Sequence, residues 1–431
     1  MSAVSEPRDR VTGAGEPVIT YDARDPGHAE RGVPFDHLAR VRREAPVCPS
    51  PHGAWYLSRF SLVAEALRDV DTYRSDLGVL SGLAGVEEVP PEELFLSEIS
   101  EPRHRQIRRL FNATFGPHRS AEFEPTVRAV CRSLVDDMLR ADIVDLHADY
   151  ALQIPGLVMA HIMELPADAP ALFMEWSLDG TIMKRPCSPG VGAGRHPLQN
   201  MFSDQLAIRR RLDEMPDDVF RTLTEARIDG EPLTEQEVVT QLHFMVQAGV
   251  HTTRGALTHL VQRLLVDPVL FDRLARDRAL LPNYIEESLR VDAPVQMTSR
   301  RCTKETAIDG VALHAGDWVE MGIASANRDE DVYDDPESFR LDRPQPRNHL
   351  AFGTGPHVCP GAALARMEGT LAVEELLERV ARMETVPDAV YPPLPGSLGH
   401  HPIPARLVPV DHGRPGDRDR LTDPSHVGDP S

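Results

Sequence analysis

The sequence predicts a mainly helical protein with a small β portion. Apolar residues recur at helical spacing along most of its 431 residues. Strand signals are few and short: "AWYL" at Ala54 and a cluster from Ile308 to Ile323 with turns at "DG" and "AG". One helical stretch is long enough to cross a whole domain. It runs from about Thr234 to Val266, and about 30 residues at 1.5 Å each make a rod of roughly 45–50 Å.

The elements follow in order. "FDHLARVRREAPV" predicts an amphipathic helix that stops before Pro46. "TVRAVCRSLVDDMLR" predicts another, with Val127, Val130, Leu134 and Met138 on its apolar stripe and Cys131 as plain core. In the long helix, Thr234 followed by Glu237 forms a capping box, and Asp267-Pro268 stops the rod. Its middle, "FMVQAGVHTTRGAL", holds Gly249 and two consecutive threonines, which are poor helix formers. Threonine hydroxyls bond back to the preceding turn and bend a helix. Two readings stand for this segment: a distorted functional site, or a glycine that lets a neighbour pack closely.

Composition narrows the function classes. A net charge of -21 argues against nucleic-acid binding, which needs a basic stripe. No apolar run reaches the ~18 residues that would span a bilayer, and "MSAVSEPRDR" lacks a signal core, so a cytoplasmic, non-membrane protein is expected. Lysine occurs only at Lys184 and Lys304, an arginine bias expected of a GC-rich bacterial genome. Cys48, Cys131, Cys187, Cys302 and Cys359 are odd in number and widely spaced, without a CxxC pair, against a zinc site or a disulfide framework.

Cys359 has the most distinctive surroundings, "LAFGTGPHVCPGAALAR". Gly353 and Gly355 permit backbone conformations closed to other residues. Pro360 suits a helix's first turn, and a helix with Val373, Leu376, Leu377 and Val380 on one face follows. A helix N-terminus stabilises a thiolate. A single thiolate without neighbouring ligands suits an iron held by a macrocycle, as in haem. A nucleophile paired with His357 and a structural cysteine remain as alternatives on the residues alone.

This loop resembles the haem-binding loop of the cytochrome P450 superfamily, of the soluble bacterial type. Phe352, Gly353, Gly355, His357, Cys359, Gly361, Leu364, Ala365 and Arg366 fit its pattern, and the likeness runs from roughly Pro34 to Pro409. The resemblance implies the P450 fold, with the long helix over haem b and Cys359 on the iron. It implies a single haem-thiolate catalytic domain over 26–410, between a loose segment at 1–25 and a disordered tail at 411–431. In "EESLR", Glu287 and Arg290 match the family's E-x-x-R pair, completed by Arg343. His104 and Arg108 in "EPRHRQIRRLF", with Arg300 and His357, match partners of the haem propionates. Two buried carboxylates need such cations and donors.

Ala248, Gly249, Thr252 and Thr253 match the family's oxygen-activation segment, with Thr252 in the place of the threonine that steadies oxygen. His251 stands where an acid is usual. Three readings follow: a substitute proton relay, since imidazole titrates near neutrality; a structural residue; or altered oxygen chemistry. The implied reaction is hydroxylation by dioxygen of a mid-sized, partly apolar small molecule in bacterial secondary metabolism. The alternatives are oxidative coupling or desaturation by the same haem, and a non-catalytic haem sensor or carrier. Pocket candidates are Val79 and Leu80, Phe244, Val295 and Met297, and Leu398, with the segment "KRPCSPGVGAGRHP". No nucleotide-binding fingerprint is present, so electrons are expected from ferredoxin and ferredoxin reductase with NAD(P)H. Arg103, Arg105 and Arg109 are a candidate docking patch unless they merely offset nearby acids. A monomer is expected.

Overall fold

The computed structural model describes residues 19–25, 27–75, 91–178, 196–394 and 401–411. Its helices include Phe35–Glu44, Arg103–Phe115, Glu124–Met138, Gln153–Ile162, Pro197–Arg209, Glu235–Val266, Leu281–Val291 and Ala362–Arg379. None is long and apolar enough to cross a membrane. The largest sheet has five short strands in the order Val47–Pro49, Ala54–Leu57, Trp318–Met321, Thr298–Cys302, Tyr73–Arg74. Val380–Thr385, Pro404–Pro409 and Val144–Asp145 form a second sheet. The mainly helical expectation holds.

The long helix starts as its sequence dictates. Thr234 Oγ1 accepts from the Glu237 N–H at 3.2 Å, and the Thr234 N–H donates to Glu237 Oε2 at 2.8 Å. Asp267 ends it and caps the next helix by accepting from the Leu270 N–H. The rod packs against Gln153–Ile162, Pro197–Arg209 and Ala362–Arg379, so nearly all of it is buried. Such burial contributes roughly 1.5–3 kcal/mol for each large apolar side chain. A second apolar core lies under the five-stranded sheet, and Ala351, at the start of the cysteine loop, packs against both cores.

Four expectations need correction. The apolar stripe of Glu124–Met138 is Val127, Cys131, Val135 and Met138, while Val130 and Leu134 stay partly exposed on its flank. The i, i+4 spacing from Val127 places Cys131 at its centre, fully buried as core, and burial pushes its thiol pKa up. Pro360 lies in a turn before the following helix, which begins at Ala362 with Gly361 as N-cap; Val380 opens a strand instead of ending that helix. The long helix is an uninterrupted α-helix through its middle. Residues 19–25, expected to be loose, lie against the sheet: Tyr21 packs on Tyr56, and Arg24 Nε reaches the buried Glu320 at 2.7 Å.

Glu368 makes one prediction at the level of the fold. It sits on Ala362–Arg379, 2% exposed, with Oε2 lacking a hydrogen-bond partner. Burial raises its pKa from 4.5 to about 8. The folded chain therefore holds a proton that the unfolded chain releases, and stability falls as pH rises from about 4.5 to about 8. Glu368→Gln keeps the neutral shape and removes that loss. Urea unfolding should show the variant more stable than wild type at pH 8, by on the order of 1–3 kcal/mol, and equal to it near pH 4. Equal stability at both pH values would overturn the assignment.

Candidate functional site

Cys359 sits in a loop shaped by two left-handed glycines, Gly353 at φ +69° and Gly355 at φ +74°. At Gly355 a Cβ would lie 2.9 Å from the Leu67 carbonyl oxygen, so the loop needs glycine there for space as well as conformation. The Cys359 N–H donates to the Phe352 carbonyl at 2.8 Å, closing the loop. Burial raises the thiol pKa, opposed by the Gly361 N–H and the charges of Arg108 and Arg366. The thiols of Cys48, Cys131 and Cys302 are raised by burial too, but these three are fully buried, whereas Cys359 keeps accessible surface.

The loop is braced from behind. Glu287 is fully buried between two arginines. Arg290 grips both its oxygens at 2.8 Å, and Arg343 Nε reaches both at 2.9 Å. The three-residue network read from the sequence is thus assembled. The preceding residue, Glu286, does equal structural work that the sequence reading missed. It accepts from Arg366 Nε at 2.6 Å and meets His349 Nε2 at 2.9 Å, and these partners hold its pKa at about 2, well below the usual range. Arg366 also lies over the Phe352 ring, 4.4 Å from its centroid. The helices on either side of the cysteine loop are thereby tied to it through one carboxylate.

On the other side, the long helix is buried from Glu237 to Gln262 except at Phe244, Ala248, Gly249, His251, Thr252 and Ala256. At 100° per residue, Phe244, Ala248, His251 and Thr252 share one face. Val295 to Thr298 and the whole loop from Ala351 to Ala363 also keep accessible surface. Thr252 Oγ1 donates to the Ala248 carbonyl at 2.7 Å, the back-bonding expected of a helical threonine. Thr253 is buried. Gly249 is a packing position: a Cβ there would meet Met159 Sδ at 3.1 Å. Of the two readings of this glycine, close packing carries the geometry.

Four basic residues gather beside the cysteine loop. His104 is 2% exposed, and its ring lies 4.0 Å from the His357 ring. Arg300 is buried, bonded only to neutral oxygens of Thr298 and Ser299, and burial lowers its pKa to about 10. Arg108 is half-buried, bonded to Asn112, with burial lowering its pKa and Cys359 raising it. Burial, then His104, Arg300 and Arg108, pull the His357 pKa down to about 3. His104 Nε2 and His357 Nδ1 are buried without partners. Such a crowd of donors suits a guest bearing carboxylates. A flat macrocycle with two propionates, bounded by a thiol on one side and an accessible helix face on the other, fits these residues.

The cytochrome P450 family model matches residues 199–406. Erythromycin C-12 hydroxylase of Saccharopolyspora erythraea is 32% identical over 365 residues, covering 83% of this chain and 90% of that protein. The chain belongs to the cytochrome P450 family. A steroid C26-monooxygenase of Mycobacterium tuberculosis is 31% identical over 82% of this P450 and 94% of its own length. Among solved structures, a mutant of P450 EryK in complex with erythromycin B superposes with a TM-score of 0.77 at 29% identity, over 86% of this chain and 95% of that one. A Bacillus megaterium P450 in complex with testosterone gives 0.76 at 27% identity, over 86% and 97%. The protein is therefore a haem b enzyme of the monooxygenase type, which uses dioxygen, a substrate and an electron-transfer partner. The non-catalytic sensor or carrier reading is set aside.

Other expected site residues are only partly gathered. Phe244 stacks on Phe95 at 5.1 Å and lies 6.0 Å from Phe111. Val295 packs toward the sheet core, and Met297 Sδ is 3.5 Å from Ser299 Oγ. Val79, Leu80, Leu398 and most of "KRPCSPGVGAGRHP" lie outside the described residues. Of the docking arginines, Arg103 is bonded to Glu237 and Arg105 lies 3.7 Å from Glu101, so two of the three offset nearby acids. Sequence reasoning also missed Ser75, whose Oγ is 3.5 Å from His357 Nε2. No local signal marks it, because strand pairing brings it there from 282 residues away.

Proposed function

We propose that this P450 hydroxylates a mid-sized, largely aliphatic small molecule of bacterial secondary metabolism. Cys359 holds the haem iron, while His104, Arg108, Arg300 and His357 receive the propionates. Bound haem supplies oxygen activation: one oxygen atom enters the substrate, the other leaves as water, and two electrons and two protons balance the reaction. The electrons come from ferredoxin and its NAD(P)H-dependent reductase. The enzyme acts as a monomer in the cytoplasm.

The observation that carries this reading is the accessible face of the long helix, Phe244, Ala248, His251 and Thr252, in a rod otherwise buried from Glu237 to Gln262. Its outer end is aromatic, with Phe244, Phe95 and Phe111 in mutual contact. Val295 and Met297 add aliphatic surface. An apolar wall with few polar groups selects by shape and holds a C–H bond in place. Relatives named for a macrolide and for steroids are consistent with that size. Turnover with ferredoxin, reductase and NAD(P)H on macrolide and steroid panels tests it, read by product mass. A gain of one oxygen atom supports hydroxylation. His251 in the acid's place favours a second reading, coupling or desaturation, whose products double in size or lose two hydrogens.

A further inference from the structure

The His104–His357 stack is backed on each side by a different kind of group. His104 Nδ1 is 3.1 Å from Glu101 Oε1, and His357 Nε2 is 3.5 Å from Ser75 Oγ. The rings are 33° from parallel. The two nitrogens left over, His104 Nε2 and His357 Nδ1, are buried and unpartnered.

The protons can be assigned from these partners. A carboxylate only accepts, so His104 Nδ1 must carry hydrogen. If His104 were neutral, its Nε2 would then present a bare lone pair, and a haem carboxylate placed there would be repelled. His104 can hold that carboxylate only as an imidazolium, with a proton on each nitrogen. Three features oppose the charge: burial, the guanidiniums of Arg105 and Arg108, and His357 against its ring, with Arg300 beyond. Glu101 is the acid that opposes them. His357 needs no such acid, because a serine hydroxyl can donate to Nε2 and leave the proton on Nδ1. Two imidazoles at 4.0 Å then share a single positive charge.

We propose that Glu101 is a positioning residue for the cofactor: it keeps His104 doubly protonated so that the stack presents two N–H donors to the haem carboxylates. This rests on the cofactor-site reading above, and it assigns a role to a residue that the family pattern did not supply.

The test is the rate of haem transfer from the loaded protein to excess apomyoglobin, followed by absorbance from pH 5 to 9. In wild type the rate should step up as His104 loses its second proton. Glu101→Gln should transfer haem about tenfold faster at pH 7, the loss of one charge-assisted bond, and its step should move down by about one pH unit. Glu101→Asp should restore the wild-type profile. His104→Ala should be fast at every pH, with no step. If His104→Ala is unchanged from wild type, the carboxylate-site reading itself fails. If His104→Ala is fast but Glu101→Gln keeps the wild-type midpoint, whether or not it is faster overall, Glu101 has no charge-setting role and this proposal alone is overturned.

Discussion

Glu287→Gln should cost about 3–5 kcal/mol of stability, the largest loss expected from any single change considered for this chain. Glu287 is fully buried and compensates two guanidiniums, those of Arg290 and Arg343, which are also buried. Its Oε1 further accepts the Arg340 N–H at 2.9 Å. The arginines spend their remaining donors on backbone: Arg290 on the carbonyls of Asn327, Pro336 and Ser338, Arg343 on those of Asp334, Asp335 and Ser338. One carboxylate therefore fixes the irregular chain between Asn327 and Arg343, which has no ladder of its own. Gln keeps the shape but leaves two buried cations without a counter-charge. The measurement is urea unfolding of the haem-loaded protein, beside Glu44→Gln as a control. Arg40 and Glu44 are half exposed at 2.9 Å, and such pairs contribute about 0.3–0.5 kcal/mol. A Glu287→Gln loss no larger than the control's would show that the network is not what holds this segment.

The parts of this structure legible in the sequence are those set by short-range rules. The Thr234 capping box needs only four residues, and it formed with both bonds. Gly353 and Gly355 adopt positive φ because the loop cannot close otherwise. Glu287 and Arg290 meet because i, i+3 positions share a helix face. What the sequence hides depends on distant pairing. Nothing local says that Thr298–Cys302 lies between Trp318–Met321 and Tyr73–Arg74, and with it the placement of Ser75 is lost. Val380–Thr385 reads as a continuation of a helix until Pro404–Pro409 is there to pair with it. Glu286 and Glu287 are adjacent and identical in type, yet they brace different elements. Only the packing of Arg366 and His349 against one, and of Arg343 against the other, separates them. The family pattern supplied Arg343 for Glu287 and no role for Arg366, and so one network was foreseen and the other was not.

Thr252→Ala should leave oxygen consumption running while product falls by a factor of ten or more, within the ~10²–10⁴ ascribed to positioned proton transfer. The argument starts from where the hydroxyl proton is. Thr252 Oγ1 donates it to the Ala248 carbonyl at 2.7 Å, so toward the accessible face the oxygen offers lone pairs. It can accept a hydrogen bond there, and can pass a proton on only if a second group replenishes it. On the same face, one residue earlier, stands His251 in the place of an acid. An imidazole near its ordinary titration range gives and regains a proton at neutral pH. If it is the second group, His251→Ala should lower the ratio of product to NAD(P)H consumed and release peroxide, and His251→Asp should recover coupling. The pH dependence separates relay from packing. Wild-type coupling should fall as pH rises through the imidazole's titration, because the proton donor is then spent, whereas His251→Asp should show no such fall in that range. Unchanged coupling in His251→Ala would remove His251 from proton delivery. Product that lost two hydrogens in both His251→Ala and wild type would point instead to coupling or desaturation as the native reaction, with Thr252 alone serving the oxygen.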